Sequence, residues 1–350
     1  MTEPLSTWLQ FLSTQGARLS EPPGLDVIGF SDTGAGHDGI VAPLTDLGLI
    51  AASGEEAARF LHGQLTNDVE HLDRSEARLA GYCTAKGRLL ATMLMWKTAD
   101  AIMLQLPRPL QPAIQKRLQM YLLRAKAKLT DVSDSNVILG LAGRAAENIL
   151  PEWFDALPAA PYAKTESRAG TLTRLADADG MPRYQWITVP ETARQAWPRL
   201  TEVLRPAGTG AWRLLEIHAG IPQITQATLE QFVPQMINYE AIGGVNFKKG
   251  CYPGQEIVAR SQYLGKLKRR MVLATTDAPE ARAGMEVFSA ADPEQPCGMV
   301  VNAEPGPAGR IDCLVEIKTA VLEEGSIHLG SATGPSLQVQ ALPYSLPEPA

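Results

Sequence analysis

The stretch of this chain best suited to chemistry is KKGCYPGQE, residues 248–256. It places Cys251, one of only four cysteines, between Gly250 and Tyr252, with Lys248 and Lys249 just upstream. A cysteine kept for packing belongs in an apolar run, because a free thiol behaves as a small hydrophobe; this one stands among glycines and charges. Pro253 suits the first turn of a helix, and Gly254, Gln255 and Glu256 lead into a sequence that can continue it to the glycine at 265. A thiol at a helix start faces unpaired backbone N–H groups, and lysines add positive charge; both favour thiolate. The expectation is a reactive, accessible Cys251, with Lys249 mattering less because Lys248 and the helix end remain beside it. The alternative is a glycine-rich turn that tolerates a cysteine. Cys83, Cys297 and Cys313 lie in strand-like apolar runs, where burial raises a thiol's pKa.

Other candidates each have a structural alternative. Asn67 and Asp68 follow the first helix, where Asn and Asp often turn a chain. Trp212 opens, and His218 closes, the amphipathic stretch AWRLLEIHAG. The indole could stack on a flat heterocycle or anchor a core, and a lone histidine at a helix end is often structural. The cysteines form no C-x-x-C pair, which argues against a disulfide framework and a thiolate zinc site. No phosphate-binding glycine loop, G-x-S-x-G or H-E-x-x-H motif occurs, so nucleotide-driven and zinc-hydrolase readings have no support.

The net charge of −6 is unevenly spread. Residues 101–130 hold six basic and no acidic side chains, and 248–270 hold seven basic residues, Arg260 among them, against Glu256 alone. Each run is +6, so the remainder carries −18. Two basic runs on an acidic chain suggest an anionic ligand or partner, or else two solvated faces. Aromatic residues are not interleaved with them as stacking on RNA requires, which speaks against direct RNA binding.

These residues need elements to hold them. A length of 350 residues implies two or three domains. Ser53 with Glu56 three residues on reads as a capping box opening a helix to about Leu65. Strand-length runs from 77 to 107 read as an antiparallel meander, and Ile114, Leu118, Tyr121 and Leu122 are spaced for one helix face. Strand and helix alternate again from 137 to 204, which makes this part α+β. After about 265, short strand-like runs separated by Gly, Pro and Asp predict a small all-β barrel or sandwich. SLPEPA reads as a loose tail. The N-terminus lacks a basic segment followed by an apolar one, and no run is long enough to span a bilayer. The expectation is a cytoplasmic protein.

GGVNFKKGCYPGQEIVAR resembles the K-G-C-Y-x-G-Q-E signature of the YgfZ family of folate-binding proteins. LTDLGLIAASGEEAARFLHGQLTNDV, TAKGR, WRLLEIHAGIPQI, QFVPQMIN and LPYSL extend the resemblance from about 40 to the end. That family is similar to the T-protein of the glycine cleavage system, a tetrahydrofolate-dependent aminomethyltransferase. The resemblance implies an α+β, three-domain ring around a central folate channel: a module of two interleaved α+β subdomains over 25–260 and a C-terminal β-barrel over 265–345. It implies tetrahydrofolate or a one-carbon derivative as ligand, in a cleft lined from 62 to 92 and 212 to 247. Asn67, Asp68, Trp212, His218 and Arg260 are the candidate folate residues, and Cys251 the functional one near the channel. It further implies an accessory role in iron–sulfur cluster assembly or repair that indirectly supports tRNA thiomethylation, with iron–sulfur enzymes or assembly proteins as partners and a monomeric state. Where T-proteins carry an aspartate pair after the TAKGR-like turn, this chain has Ala91 and Thr92; where they place a glutamate before Ala-Gly, it has His218, with Glu216 two residues off. A helix turns ~100° per residue, so Glu216 is expected to point away from the ligand. The alternatives are a folate-dependent aminomethyl transferase and a direct tRNA-binding protein.

Overall fold

The structure, a computed structural model, describes residues 7–21, 26–31, 38–263, 267–324 and 326–347. The glycine at 265 and the lysine at 266 in the second basic run lie outside them.

The meander read from sequence is present: strands Ala77–Cys83, Leu89–Lys97 and Ile102–Pro107 pair antiparallel in that order. Leu47–Ser53 and Lys128–Asp131 complete a five-stranded antiparallel sheet. The middle strand, LLATMLMWK, is buried at all but its last residue. A run without alternation fits a strand covered on both faces. Helix Gln111–Leu122 packs through Ile114 and Leu118, but Tyr121 is 50 % exposed rather than part of the buried face.

The capping-box expectation fails. Ser53 is the last residue of a strand, paired with Lys128, and the helix runs only from Ala57 to His62. Glu56 makes no cap bond; its carboxylate instead accepts the Lys126 backbone N–H at 2.7 Å.

A second, six-stranded sheet is built mainly from Ile40–Pro43, Val137–Ala142, Lys164–Ser167, Gly170–Ala178 and Met181–Thr188. Its outer face holds a separate core in which Trp8, Phe30 and Trp197 meet, Trp197 belonging to helix Pro190–Thr201. Of the two C-terminal alternatives, the chain takes the barrel: six strands close on themselves, from Arg269–Thr276 to Ser336–Gln340.

Helix Thr209–His218 joins these parts. It buries Trp212, Leu215 and Ile217 and contacts the barrel, the second sheet and strand Val27–Phe30. Its close seat depends on Gly140, because a Cβ there would stand 2.5 Å from the Trp212 ring. No helix of the described residues is long and apolar enough to cross a membrane.

Candidate functional site

Between the two sheets and the barrel lies a cavity of about 820 Å³, within the range of small-molecule sites. The first sheet contributes Leu79, Thr92 and Gln105; the second, Arg183 and Gln185; the barrel, Glu304. From helix Thr209–His218 come Trp212, Arg213, Glu216 and Ile217. These four are neighbours on one helix face, since residues four apart lie within about 40°. Glu216 therefore does face the cavity, against expectation, and accepts from Arg183 Nη1 at 2.9 Å.

His218 is on the other side. Its Nδ1 lies 2.6 Å from Asp179 and its Nε2 2.8 Å from Asp312. It ties a hairpin of the second sheet to a barrel strand and does not line the cavity.

The cavity wall contains unusual polar groups. Arg183 is fully buried; its Nε donates to Ala176 O at 2.7 Å, while Nη2 has no hydrogen-bond partner. Gln105 Oε1 and Gln185 Oε1 are likewise buried and unpartnered. Such groups cost about 1–3 kcal/mol each when nothing satisfies them. Trp212 is only 3 % exposed, with the Arg183 guanidinium 5.2 Å over its ring. That guanidinium, rather than the bare indole, is the flat surface offered to the cavity.

Elsewhere in the wall Arg213 meets three carboxylates. Nη1 donates to Asp26 at 3.1 Å and Asp46 at 3.0 Å, and Nε to Glu304. Burial pushes the Asp46 carboxyl up to about 6 against the pull of Arg213, and burial also raises Glu304. Sequence reasoning missed this cluster, as it missed Gln105, Arg183 and Gln185. Their partners are distant in sequence and no local pattern marks them.

Thr92 is the residue of the Ala91–Thr92 pair that faces the cavity. Its Oγ1 accepts the Ile224 N–H at 3.0 Å. Ala91 is fully buried opposite Tyr82, a neighbour of the outer helix residue Arg117.

Cys251 is elsewhere, and none of the described residues from 240 to 282 lines the cavity. It stands in an irregular segment four residues before helix Gln255–Tyr263 begins, so the expected helix-start placement is wrong. Pro253 and Gly254 form a turn instead. Gly254 has φ +81°, and a Cβ on it would sit 2.4 Å from Thr84 O and 2.6 Å from Gly87 Cα. The motif is thus seated against the TAKGR turn, and only glycine permits the approach. Cys251 is exposed whereas the other three cysteines are buried. Burial pushes the Cys83 and Cys313 thiols up to about 12 and raises Cys297.

Lys249 is not a spare surface charge. It is 8 % exposed, and its Nζ donates to His62 O at 2.5 Å and Leu65 O at 2.9 Å while lying 4.7 Å over the Tyr252 ring. Burial pulls its pKa down to about 8, opposed by Asp68, Cys251 and Glu70. Lys248 is exposed and cannot replace it. Lys249→Ala should therefore cost about 2 kcal/mol, from two carbonyls left without a donor, and not the smaller effect expected from sequence. A urea midpoint equal to that of the parent protein would contradict this.

Asn67 and Asp68 belong to this side too. Asn67 Nδ2 donates to Leu79 O and Gly243 O, both at 2.7 Å, and its Oδ1 accepts the Asp68 N–H. Asp68 lies 3.1 Å from His62 Nδ1 and 2.9 Å from His71 Nδ1. Burial works to raise its pKa, but the bonds and charge of His71, with His62, hold it below the usual value. Arg260 and Glu256 are exposed on helix Gln255–Tyr263, and Gln255 is half-buried at its start. Of the five expected folate residues, only Trp212 lines the cavity.

The basic runs are partly paired with carboxylates, and Arg270 is buried with its partner. Arg269 pairs with Glu316 at 2.8 Å, Arg270 with the buried Glu240, Arg108 with Asp131 at 3.0 Å and Lys126 with Glu55 at 2.5 Å. Counting charges along the sequence overstated the surface available to an anion. Among the described residues, no group of three or more His, Cys, Asp or Glu side chains is arranged to hold a metal ion.

Two sheets and a closed barrel packed around the cavity make up a T-protein-like fold. The glycine cleavage system aminomethyltransferase T from Bartonella henselae superposes with a TM-score of 0.71 over 96 % of both chains at 17 % identity, a likeness of fold alone. No family model matches the sequence. The chain is 30 % identical over 308 residues to the tRNA-modifying protein YgfZ of Escherichia coli (strain SMS-3-5 / SECEC), covering 87 % of this chain and 93 % of that one. The YgfZ of Sodalis glossinidius is 30 % identical over 307 residues, and that of Enterobacter sp. (strain 638) 31 % over 312, with the same coverage. The chain belongs to the family of tRNA-modifying protein YgfZ.

Proposed function

We propose that the protein binds a reduced folate in the central cavity and acts as an accessory factor for iron–sulfur enzymes, supporting tRNA modification indirectly, with Cys251 as its reactive group. The observation that carries the folate reading is the set of unpartnered buried atoms in the wall. A pterin presents an amino group, a ring N–H and a carbonyl along one edge. Gln105 Oε1 and Gln185 Oε1 suit the two donors, and Arg183 Nη2 suits the carbonyl. Arg183 held over Trp212 offers a planar cation for the ring system. When bound, a folate supplies a carried one-carbon unit. The chain's own residues bind and orient it, and exclude water from the wall.

Calorimetric titration with tetrahydrofolate tests this, with Trp212 fluorescence followed in parallel. Binding with a change in emission is expected, and Gln185→Leu should weaken it about tenfold, the value of one well-placed buried hydrogen bond. No heat and no change in emission would overturn the reading.

The same wall speaks against aminomethyl transfer. The cavity-facing Thr92 has a hydroxyl already accepting a backbone bond, and it cannot act as a general base near neutral pH. Supplied with folate and aminomethyl-lipoyl carrier, the protein should show no turnover above the uncatalysed rate. Measurable turnover would favour the transferase alternative.

A further inference from the structure

The end of the cavity around Arg213 carries more negative charge than the protein itself neutralises. Asp26, Asp46 and Glu304 share one guanidinium. The two other arginines lining the cavity are engaged elsewhere, Arg183 with Glu216 and Arg108 with Asp131 and Asp134. Three carboxylates on one guanidinium amount to a formal charge of −2 in a wall with restricted access to water. Charge of one sign in such a place favours a ligand of the other.

A second observation points the same way. Gln105, 6 % exposed, lines the same cavity with Oε1 unpartnered. It lies two residues from Pro107, which pairs with Leu47, the neighbour of Asp46. The cavity wall therefore presents acceptors beyond what its own donors use, and suits a ligand that is cationic or rich in donors.

We propose that the Asp26–Asp46–Glu304 cluster selects a cationic one-carbon state of folate, the 5,10-methenyl form, over forms whose ring system is uncharged, such as 5-formyltetrahydrofolate. The inference rests on the folate reading above. In the methenyl form a positive charge is shared between two ring nitrogens through the bridging carbon. The pterin and the glutamate tail are common to both ligands, so the comparison turns on the one-carbon bridge, and substitution of the carboxylates separates its charge from its shape.

The test is rapid-mixing titration of the full chain with each ligand at neutral pH, read before the methenyl bridge takes up water, releases a proton and opens. The methenyl form should bind about tenfold more tightly. Asp46→Asn and Glu304→Gln should each bring the ratio of the two affinities toward one. The ratio stays readable even where absolute affinity falls. Burial has raised the Asp46 carboxyl to about 6, with Arg213 pulling it down and Asp26 pushing it further up. Lowering the pH through that range should therefore also shrink the ratio in the parent protein.

Equal affinities, or tighter binding of the 5-formyl form, would overturn the inference and leave folate binding standing. A preference that survives both substitutions would overturn its assignment to these carboxylates. Binding of neither ligand would sink the folate reading itself, and this inference with it.

Discussion

Cys251→Ser is expected to leave the protein folded and to abolish the proposed support of iron–sulfur enzymes, so that a deletion strain carrying the variant behaves like the deletion. Serine keeps the size of the side chain. The contacts that seat the motif, Lys249 on the His62 and Leu65 carbonyls and Gly254 against the TAKGR turn, do not involve the thiol. The parent protein treated briefly with limiting iodoacetamide should be labelled at Cys251 first. The other three thiols are buried, two of them with pKa values near 12, and thiolate is the reacting species. Full complementation by the serine variant, with a different cysteine labelled first, would return Cys251 to the role of a tolerated turn residue.

The largest stability effect is expected at Arg270→Ala. The Arg270 and Glu240 side chains are 8 % and 3 % exposed and pair directly, and Arg270 also donates to Gln235 O at 3.2 Å. Removing the guanidinium strands a buried carboxylate, which costs about 3–5 kcal/mol. Burial already raises the Glu240 pKa above its ordinary value even with Arg270 beside it. An acid whose native pKa is raised binds more protons folded than unfolded, so its penalty is present at neutral pH and relieved as pH falls. The urea midpoint of the variant should drop steeply at neutral pH and by less in mildly acidic buffer. An unchanged midpoint, or a gap that widens on acidification, would contradict the role assigned to this pair.

What could be read from sequence was what depends on near neighbours. The meander from 77 to 107, the alternation of strand and helix from 137 to 204 and the run of short C-terminal strands all followed from patterns within about ten residues. The exposure of one cysteine among four followed from its company. The errors share a cause: each depended on something far along the chain. Ser53 and Glu56 have capping-box spacing, but pairing with Lys128 kept Ser53 in a strand. Glu216 and His218 could not be assigned to faces until Gly140 and the barrel fixed how the helix sits. Arg269 and Arg270 counted as surface charge until Glu316 and Glu240 proved to be their partners. The carboxylates around Arg213 come from positions 26, 46 and 304, a separation that no local pattern spans.

The position of Glu304 and Asp312 bears on how the chain can be divided. Both lie on barrel strands, yet one completes the shell of Arg213 and the other holds His218. Asn302, from the same barrel edge, exchanges two hydrogen bonds of 2.9 Å with the backbone of Gln223. The barrel is thus no detachable appendage. A chain cut ahead of Arg269 would keep both sheets and the motif cysteine, but would lose one wall of the central cavity and a third of the acid groups gathered around Arg213.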